Sequence, residues 1–458
     1  MAKGKYQNQR RYGWLMILLS LLLVAAAIWF GVQHLGLSAD TPTEPSTSAT
    51  TTAPTTQPTT EPTTEPTTEP TTAPTEPFVV STASVGVSGD VLIHSPVYNA
   101  AYEGNGLYDF SEIFTYISDY YERYDFMVAN MEVPLAGADR GYSGYPNFNC
   151  PDGIVDGLKD AGVDMVLNAN NHTYDQGHSG FARTQEVLRE KEMDYLGTRL
   201  SVEEPPYIVR DINGIKVGMV CYTYETGNTS DGRKTLNGIG VSADDCDLIS
   251  SFHPKHLDDE FFPEVEKTLE AMYADGAEVT MVYIHWGEEY QLRQNEQQEY
   301  IAQNLCELGV DVIVGGHPHV IQPFETLTSS TGHQTYCIYS IGNAISNQRR
   351  SNISQAPDGH TEDSMIFGVT FEKWNDGSVN VSAIDILPIW VSKEWSDTKG
   401  NVYYIIPLDL GVEDWNGYDI SNSNYLRGSY KRTMKIVGEG LNAYRQSVGM
   451  EPLPLTVE

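Results

Sequence analysis

Val310-Asp311-Val312-Ile313-Val314-Gly315-Gly316-His317-Pro318-His319 is a short apolar run that ends in two glycines and two imidazoles. Such a run, bounded by glycine, reads as a buried strand, and the proline restricts the backbone that carries the histidines. The paired glycines let another segment approach closely. The same pattern recurs along the chain. Residues 85–87 lead into Ser88-Gly89-Asp90, 126–129 into Asn130-Met131-Glu132, and 163–167 into Asn168-Ala169-Asn170-Asn171-His172. Residues 279–284 lead into His285-Trp286-Gly287-Glu288, and 336–341 into Gly342-Asn343. Amphipathic stretches of about ten to fifteen residues separate these runs, which predicts a layered α/β domain.

α/β enzymes place their chemistry outside the carboxyl ends of strands, so a single rim would gather all of these groups. Taken singly, each has a plain structural reading: Gly89-Asp90 as a turn, Asn130 as a satisfied loop amide, His285 as a core histidine bonded to backbone. Taken together they form a nitrogen and oxygen donor set without thiolate, suited to manganese, zinc or iron. Asp90, Glu132, Asn171, His172, His285, His317 and His319 are enough for two ions of the kind that lie about 3.5 to 4 Å apart and activate water. His94, four residues after Asp90, is a further candidate. His178, His253, His256, His333 and His360 lie in loop-like or helix-start contexts and read as surface residues. Ala161-Gly162-Val163-Asp164 and Leu308-Gly309-Val310-Asp311 each close a helix, open a strand and deliver a histidine, a repeated architecture.

The 458 residues carry 62 acids against 28 bases, a net charge of -34. A phosphate backbone would be repelled, which argues against nucleic-acid binding. The 5 cysteines include no C-x-x-C pair, so neither a thiolate zinc site nor a disulfide framework is expected.

Lys3, Lys5, Arg10 and Arg11 precede an apolar run at 14–32 whose only polar member is Ser20. At ~1.5 Å per residue the run covers roughly 28 Å, close to the hydrocarbon thickness of a bilayer. It reads as an uncleaved signal anchor that leaves residues 1–13 in the cytoplasm and the remainder outside, a single-pass protein of the cell membrane. A signal peptide cleaved near residues 25–27 gives the same final compartment. Residues 33–77 form a linker, of which 41–77 hold 17 Thr and 9 Pro. It cannot build a core and, biased toward polyproline II, reaches on the order of 110 Å. The folded part divides into a domain at 78–392 and a C-terminal extension at 393–458. Asn213-Gly214 and Asp376-Gly377 mark hairpins, and residues 425–446 read as one or two helices interrupted at Gly438 and Gly440.

In their order and spacing, the strand-end motifs resemble the CapA-type poly-γ-glutamate capsule-synthesis proteins, whose domain has the calcineurin-like metallophosphatase fold. The resemblance spans roughly residues 84–392. It rests on Gly89-Asp90, Ala129-Asn130-Met131-Glu132, Ala169-Asn170-Asn171-His172 with Asp175 and Gly177, and the segments 285–290, 315–320 and 339–343. It implies a four-layer αββα sandwich with two divalent metal ions held by Asp90, Glu132, Asn171, His285, His317 and His319. His172 would face the leaving group with Asp175 orienting it, and Asn130, Glu288 and Asn343 would meet the substrate. Two positions depart from the superfamily pattern: Val91-Leu92 follows Asp90 where x-His is usual, and Glu132 stands where an aspartate bridges. Two functions stay open. One is a metal-dependent hydrolase of an envelope polymer such as poly-γ-glutamate, working beside capsule-synthesis membrane proteins. The other is a non-catalytic scaffold or polymer-binding subunit of a capsule assembly complex. An adhesin on a stalk would leave the histidine cluster without a purpose.

Overall fold

Phe126 and Val128 enter one core while Met127, Ala129 and Met131 enter another, the period of two that a strand buried on both faces requires. The strand Phe126–Met131 belongs to a seven-stranded sheet whose order is Gly400–Pro407, Val379–Ser396, Asp363–Trp374, Val79–Val91, Phe126–Met131, Met165–Leu167, Asp194–Leu196. The last four run parallel, and the first three are antiparallel additions to that edge. A second seven-stranded sheet is ordered Ser251–Phe252, Ile215–Tyr224, Val279–His285, Val312–Gly316, Gln334–Ile338, Phe324–Thr328, with Tyr207–Ile212 also paired to Ile215–Tyr224. Ile215–Tyr224, Val279–His285, Val312–Gly316 and Gln334–Ile338 are mutually parallel. These elements come from a computed structural model that describes residues 76–411 and 415–456. The basic N-terminus, the apolar run at 14–32 and the Thr/Pro tract to residue 75 lie outside the described residues. Among the described residues, no helix is long and apolar enough to cross a membrane.

The two sheets share one core, in which Val85, Val87, Phe126 and Val128 meet Val217, Met219, Met281, Tyr283, Val312 and Val314. Helices Gly153–Asp160 and Gly177–Glu190 cover the outer face of the first sheet through Ile154, Leu158, Val187 and Leu188. Phe262–Ala274 and Glu296–Glu307 cover the second through Val265, Leu269, Ile301 and Leu305. The expected repeat is real in the backbone. Gly162 and Gly309 both take positive φ, and Val163 and Val310 donate to Leu158 O and Leu305 O, the Schellman closure of a helix. Asp164 and Asp311 then accept the N–H of Met127 and Thr280 on the neighbouring strand at 2.7 and 2.8 Å.

Both hairpins form, with Asn213 and Gly214 at φ 51 and 83 between Tyr207–Ile212 and Ile215–Tyr224, and Asp376-Gly377 between Asp363–Trp374 and Val379–Ser396. Strand Val379–Ser396 runs unbroken through position 392 and pairs with Gly400–Pro407, so the start of the extension belongs to the first sheet.

The C-terminal helix corrects the sequence reading. It is continuous over Asn424–Ser447 and is not interrupted at Gly438 or Gly440. Those glycines serve packing: a Cβ on Gly440 would lie 1.9 Å from the Phe324 carbonyl oxygen, and one on Gly438 2.5 Å from Leu455. Leu426, Tyr430, Met434, Val437, Leu441 and Tyr444 bury the facing stripe in the shared core. Gly440→Ala is therefore expected to destabilise the protein by about 1 to 3 kcal/mol through backbone overpacking. Gly428→Ala, on the same helix with only the far end of the Arg432 side chain nearby, should be neutral or gain up to about 1 kcal/mol, both read by denaturant unfolding.

Candidate functional site

Parallel neighbours put their carboxyl ends on a common edge, and register then decides which residues meet there. In the first sheet a bulge at Gly89 slips the pairing so that Asp90 lies opposite Asn130. Only glycine fits the bulge, because a Cβ there would sit 2.0 Å from Gly342 O. In the second sheet His285 pairs with Gly316 and with Thr223. A Cβ on Gly316 would come within 3.0 Å of Asp90 Oδ1 and 3.5 Å of His285 Nδ1, so the glycine opens the space in which the two sheets' ligands meet.

Asp90, Glu132, Asn171, His172, Asp175, His285, His317 and His319 are all buried and gathered at this rim. The donor atoms of Asp90, Glu132 and His285 lie within 4.8 Å of one another, and so do those of Glu132, His317 and His319. Glu132 is common to both groups. Its Oε1 is 3.3 Å from His285 Nε2 and 3.9 Å from His319 Nε2. That oxygen and His317 Nδ1 are buried without a hydrogen-bond partner. Asn171 Oδ1 comes within 2.9 Å of His285 Nε2, and Tyr224 Oη within 3.2 Å of His317 Nε2. Unsatisfied carboxylate and imidazole donors converging in a buried space fit divalent cations, which accept such mixed sets.

The crowding of these groups sets their charges. Burial would strip His319 of its proton, but Glu132 and Asp90 outweigh it and hold the ring near pKa about 9. Burial would raise Asp90, yet the His319 contact keeps its carboxyl below the usual range. His317, with no such partner, is pushed well down by burial and by the charges of His285 and His319. Backbone strain is concentrated here too, since His317 and His319 sit at φ 95 and 56. Left-handed non-glycine residues cost on the order of 1 to 3 kcal/mol each and persist only where the surroundings hold them. Here Trp286 N–H bonds Gly316 O and Tyr290 N–H bonds Pro318 O, the latter at 2.8 Å.

His172 stands slightly apart from the two donor groups. Its Nδ1 is 2.7 Å from Asp175 Oδ2, which also accepts the Phe148 N–H at 2.8 Å, and the Phe148 ring meets the imidazole edge-on. The three residues expected to meet substrate are placed differently from one another. Asn130 is buried and donates to Asp90 Oδ1 at 2.7 Å and Glu132 Oε2 at 3.2 Å. Asn343 is fully buried, receiving His319 Nδ1 at 3.0 Å and donating to Thr361 O and Gln348 Oε1, so it orients a ring. Glu288 is exposed. The next residue, Glu289, is the carboxylate near enough to act on His319 and to help raise the Tyr224 and Tyr290 phenols, after burial.

His94 joins neither donor group. Its Nδ1 faces Leu92 O and the Asn347 N–H, and burial brings its pKa down to about 4. Two histidines expected at the surface are half-buried. His333 Nε2 meets the Val310 carbonyl at 3.0 Å, and His360, with 15% of its side chain exposed, lines a cleft of about 610 Å³ with Arg293, Phe324 and Lys435. The sequence reading missed Tyr224, Glu289 and Asn237. Asn237-Gly238 carries the same hairpin signal as Asn213-Gly214, but its flanking strands are only Lys234–Leu236 and Ile239–Gly240.

A family model described as bacterial capsule synthesis protein PGA_cap matches residues 84–348. The chain belongs to the bacterial capsule synthesis protein family. Within the capsule-synthesis span fall all of the donors above, from Asp90 to Asn343. Two curated relatives are the capsule biosynthesis protein CapA of Bacillus anthracis, 27% identical over 52% of this chain, and the PGA biosynthesis protein CapA of Bacillus subtilis (strain 168), 25% identical over 60%. The chain spans 54% and 65% of the length of those two proteins. The solved structure of TT1561 of Thermus thermophilus aligns at 7% identity and a TM-score of 0.31, over 63% of this chain and 94% of that one, too low a likeness to carry an argument.

Since Glu132 serves both donor groups, Glu132→Gln is expected to reduce metal uptake more than loss of either group's own histidine, whereas Glu288→Gln should leave it unchanged. Elemental analysis after loading and desalting reads this directly.

Proposed function

We propose that this protein is a membrane-anchored, extracellular, metal-dependent hydrolase that cleaves a phosphoester or amide bond of an envelope polymer such as poly-γ-glutamate. Two divalent ions, manganese, zinc or iron, would be held by Asp90, Glu132, Asn171, His285, His317 and His319 in a metallophosphatase-like sandwich. The observation that carries the reading is the buried, unpartnered Oε1 of Glu132 shared by two donor groups beside the His172–Asp175 pair. When bound, such ions act as Lewis acids that lower the pKa of water and neutralise charge on a reacting oxygen.

The chain's own part is proton management. Asp175 accepts from Nδ1 of His172, which fixes the ring and leaves Nε2 as the nitrogen that passes a proton to the departing oxygen or nitrogen. Water adds to the phosphorus or carbonyl carbon and gives up a proton to solvent, the P–O or C–N bond breaks, the leaving group takes the His172 proton, and solvent restores it to Nε2. The anchor rests on the basic start and apolar run at 14–32, and the polymer on the capsule and PGA biosynthesis named for the relatives. The partners are then the cell membrane and capsule-synthesis membrane proteins. Nucleic acid is disfavoured by the net charge of -34.

His172→Ala should lose activity on phosphodiester or γ-glutamyl substrates by about 10²- to 10⁴-fold while keeping its metal. Undiminished activity in metal-replete His172→Ala, or wild-type protein that neither carries nor takes up transition metal, would favour the scaffold. Protease added to intact protoplasts should remove the folded domain and leave a small N-terminal fragment, and protection of the whole chain would reverse the topology.

A further inference from the structure

We propose that Asn237 is a positioning residue for the His172–Asp175 pair, and that residues 225–250, which carry it, clamp the loop bearing that pair; the catalytic part of this rests on the hydrolase reading above. Asn237 and Gly238 form the two-residue turn between Lys234–Leu236 and Ile239–Gly240, at φ 47 and 73, the values of a type I′ hairpin. From that turn the Asn237 amide donates to Asp175 Oδ1 at 2.8 Å and to Pro146 O at 3.2 Å, and it lies 3.3 Å from His172 Nδ1. The other Asp175 oxygen already receives His172 and the Phe148 N–H. With both oxygens engaged, the carboxylate has no free rotation, and the imidazole it holds has one orientation.

A second carboxylate works in the opposite direction. Asp245, on the same segment, accepts Tyr174 Oη at 2.6 Å and Ser242 Oγ at 2.7 Å, and contacts His178 Nδ1 at 2.9 Å. Tyr174 precedes Asp175 on the loop, and His178 lies in the first turn of the helix that follows it. Between these two locks, Tyr174 and Phe181 pack with Leu236, Val241 and Ile249 in a small core of their own. Residues 225–250 are thus fastened to the loop bearing His172 and Asp175 at three points: Asn237 to Asp175, Asp245 to Tyr174, and the apolar patch between them.

Asn-Gly is favoured in type I′ turns whatever its side chain touches, so turn geometry alone would account for Asn237. Asn213-Gly214 supplies the comparison: its φ values are 51 and 83, but the exposed Asn213 amide donates to Thr82 O, at 3.3 Å, and reaches the Asp125 carboxylate rather than Asp175. Glycine accepts positive φ, so Asn237→Gly keeps the turn and removes only the carboxamide. Asn213→Gly is the matched control.

The test uses the full-length, zinc-loaded protein with two diesters, one with a nitrophenyl and one with an alkyl leaving group. A good leaving group departs without a proton, so a misoriented acid is felt on the alkyl ester. Asn237→Gly is expected to lower kcat on the alkyl ester about 10-fold with KM within about twofold, and to change nitrophenyl hydrolysis by less than about twofold. Long-range proton–nitrogen spectra of ¹⁵N-histidine-labelled protein should show His172 passing from one tautomer to a mixture, with Asn213→Gly unchanged on every measure. Equal losses on both esters, or no loss together with an unaltered His172 spectrum, would overturn the proposal. If the wild type hydrolyses neither ester, the hydrolase reading fails separately and the spectrum decides alone: an altered His172 signal in Asn237→Gly upholds the positioning, and an unaltered one refutes it.

Discussion

Asp90 and Glu132 hold two carboxylates almost wholly out of water, at the edge where two sheets meet. Charge buried in this way is tolerated only where donors or cations answer it. Asn130 donates to both carboxylates, His319 and His285 lie against them, and one oxygen of Glu132 still has no donor. Much of what is unusual in the backbone serves this arrangement: the bulge at Gly89, the left-handed His317 and His319, and the bare Cα of Gly316 between Asp90 and His285.

Support for the rim reaches far into the chain. His319 leans on Asn343, and Asn343 leans on the Thr361 carbonyl. Two residues on, Asp363 is gripped by Arg432 of the C-terminal helix at 2.6 and 2.7 Å. That helix lies beyond the 84–348 span of the family match, yet it closes the shared core and steadies the strand that begins at Asp363. Removing the partner of a buried, hydrogen-bonded carboxylate is costly, so the helix is tied to the rim by more than apolar packing.

The acidity of the chain bears on the proposed substrate. A protein of net charge -34 repels a polyanion over most of its surface, and long-range attraction has to come from concentrated positive charge. Divalent ions at the Glu132 rim would supply it, so under the proposed hydrolase reading they would recruit the polymer as well as act on it.

Local pattern was enough to read the donors at the strand ends, the two hairpins and the α/β layering, because strand period, turn chemistry and strand-to-loop transitions are written in a few consecutive residues. The roles of Asn130, Asn343 and Asn237 were not legible, since an amide's function depends on which carboxylate or imidazole it faces. Asn237 and Asp175 are 62 residues apart in sequence. The same holds for Gly438 and Gly440, which locally signal a helix break but in the fold allow an unbroken helix to press against the Phe324 carbonyl. By itself the sequence determined which donors the chain carries and that strands would end in them. Only the tertiary structure decided that Glu132 is shared by two groups, that Asn343 turns inward and that Asn237 grips Asp175, because those outcomes depend on register and close approach between segments that pattern within a segment does not encode.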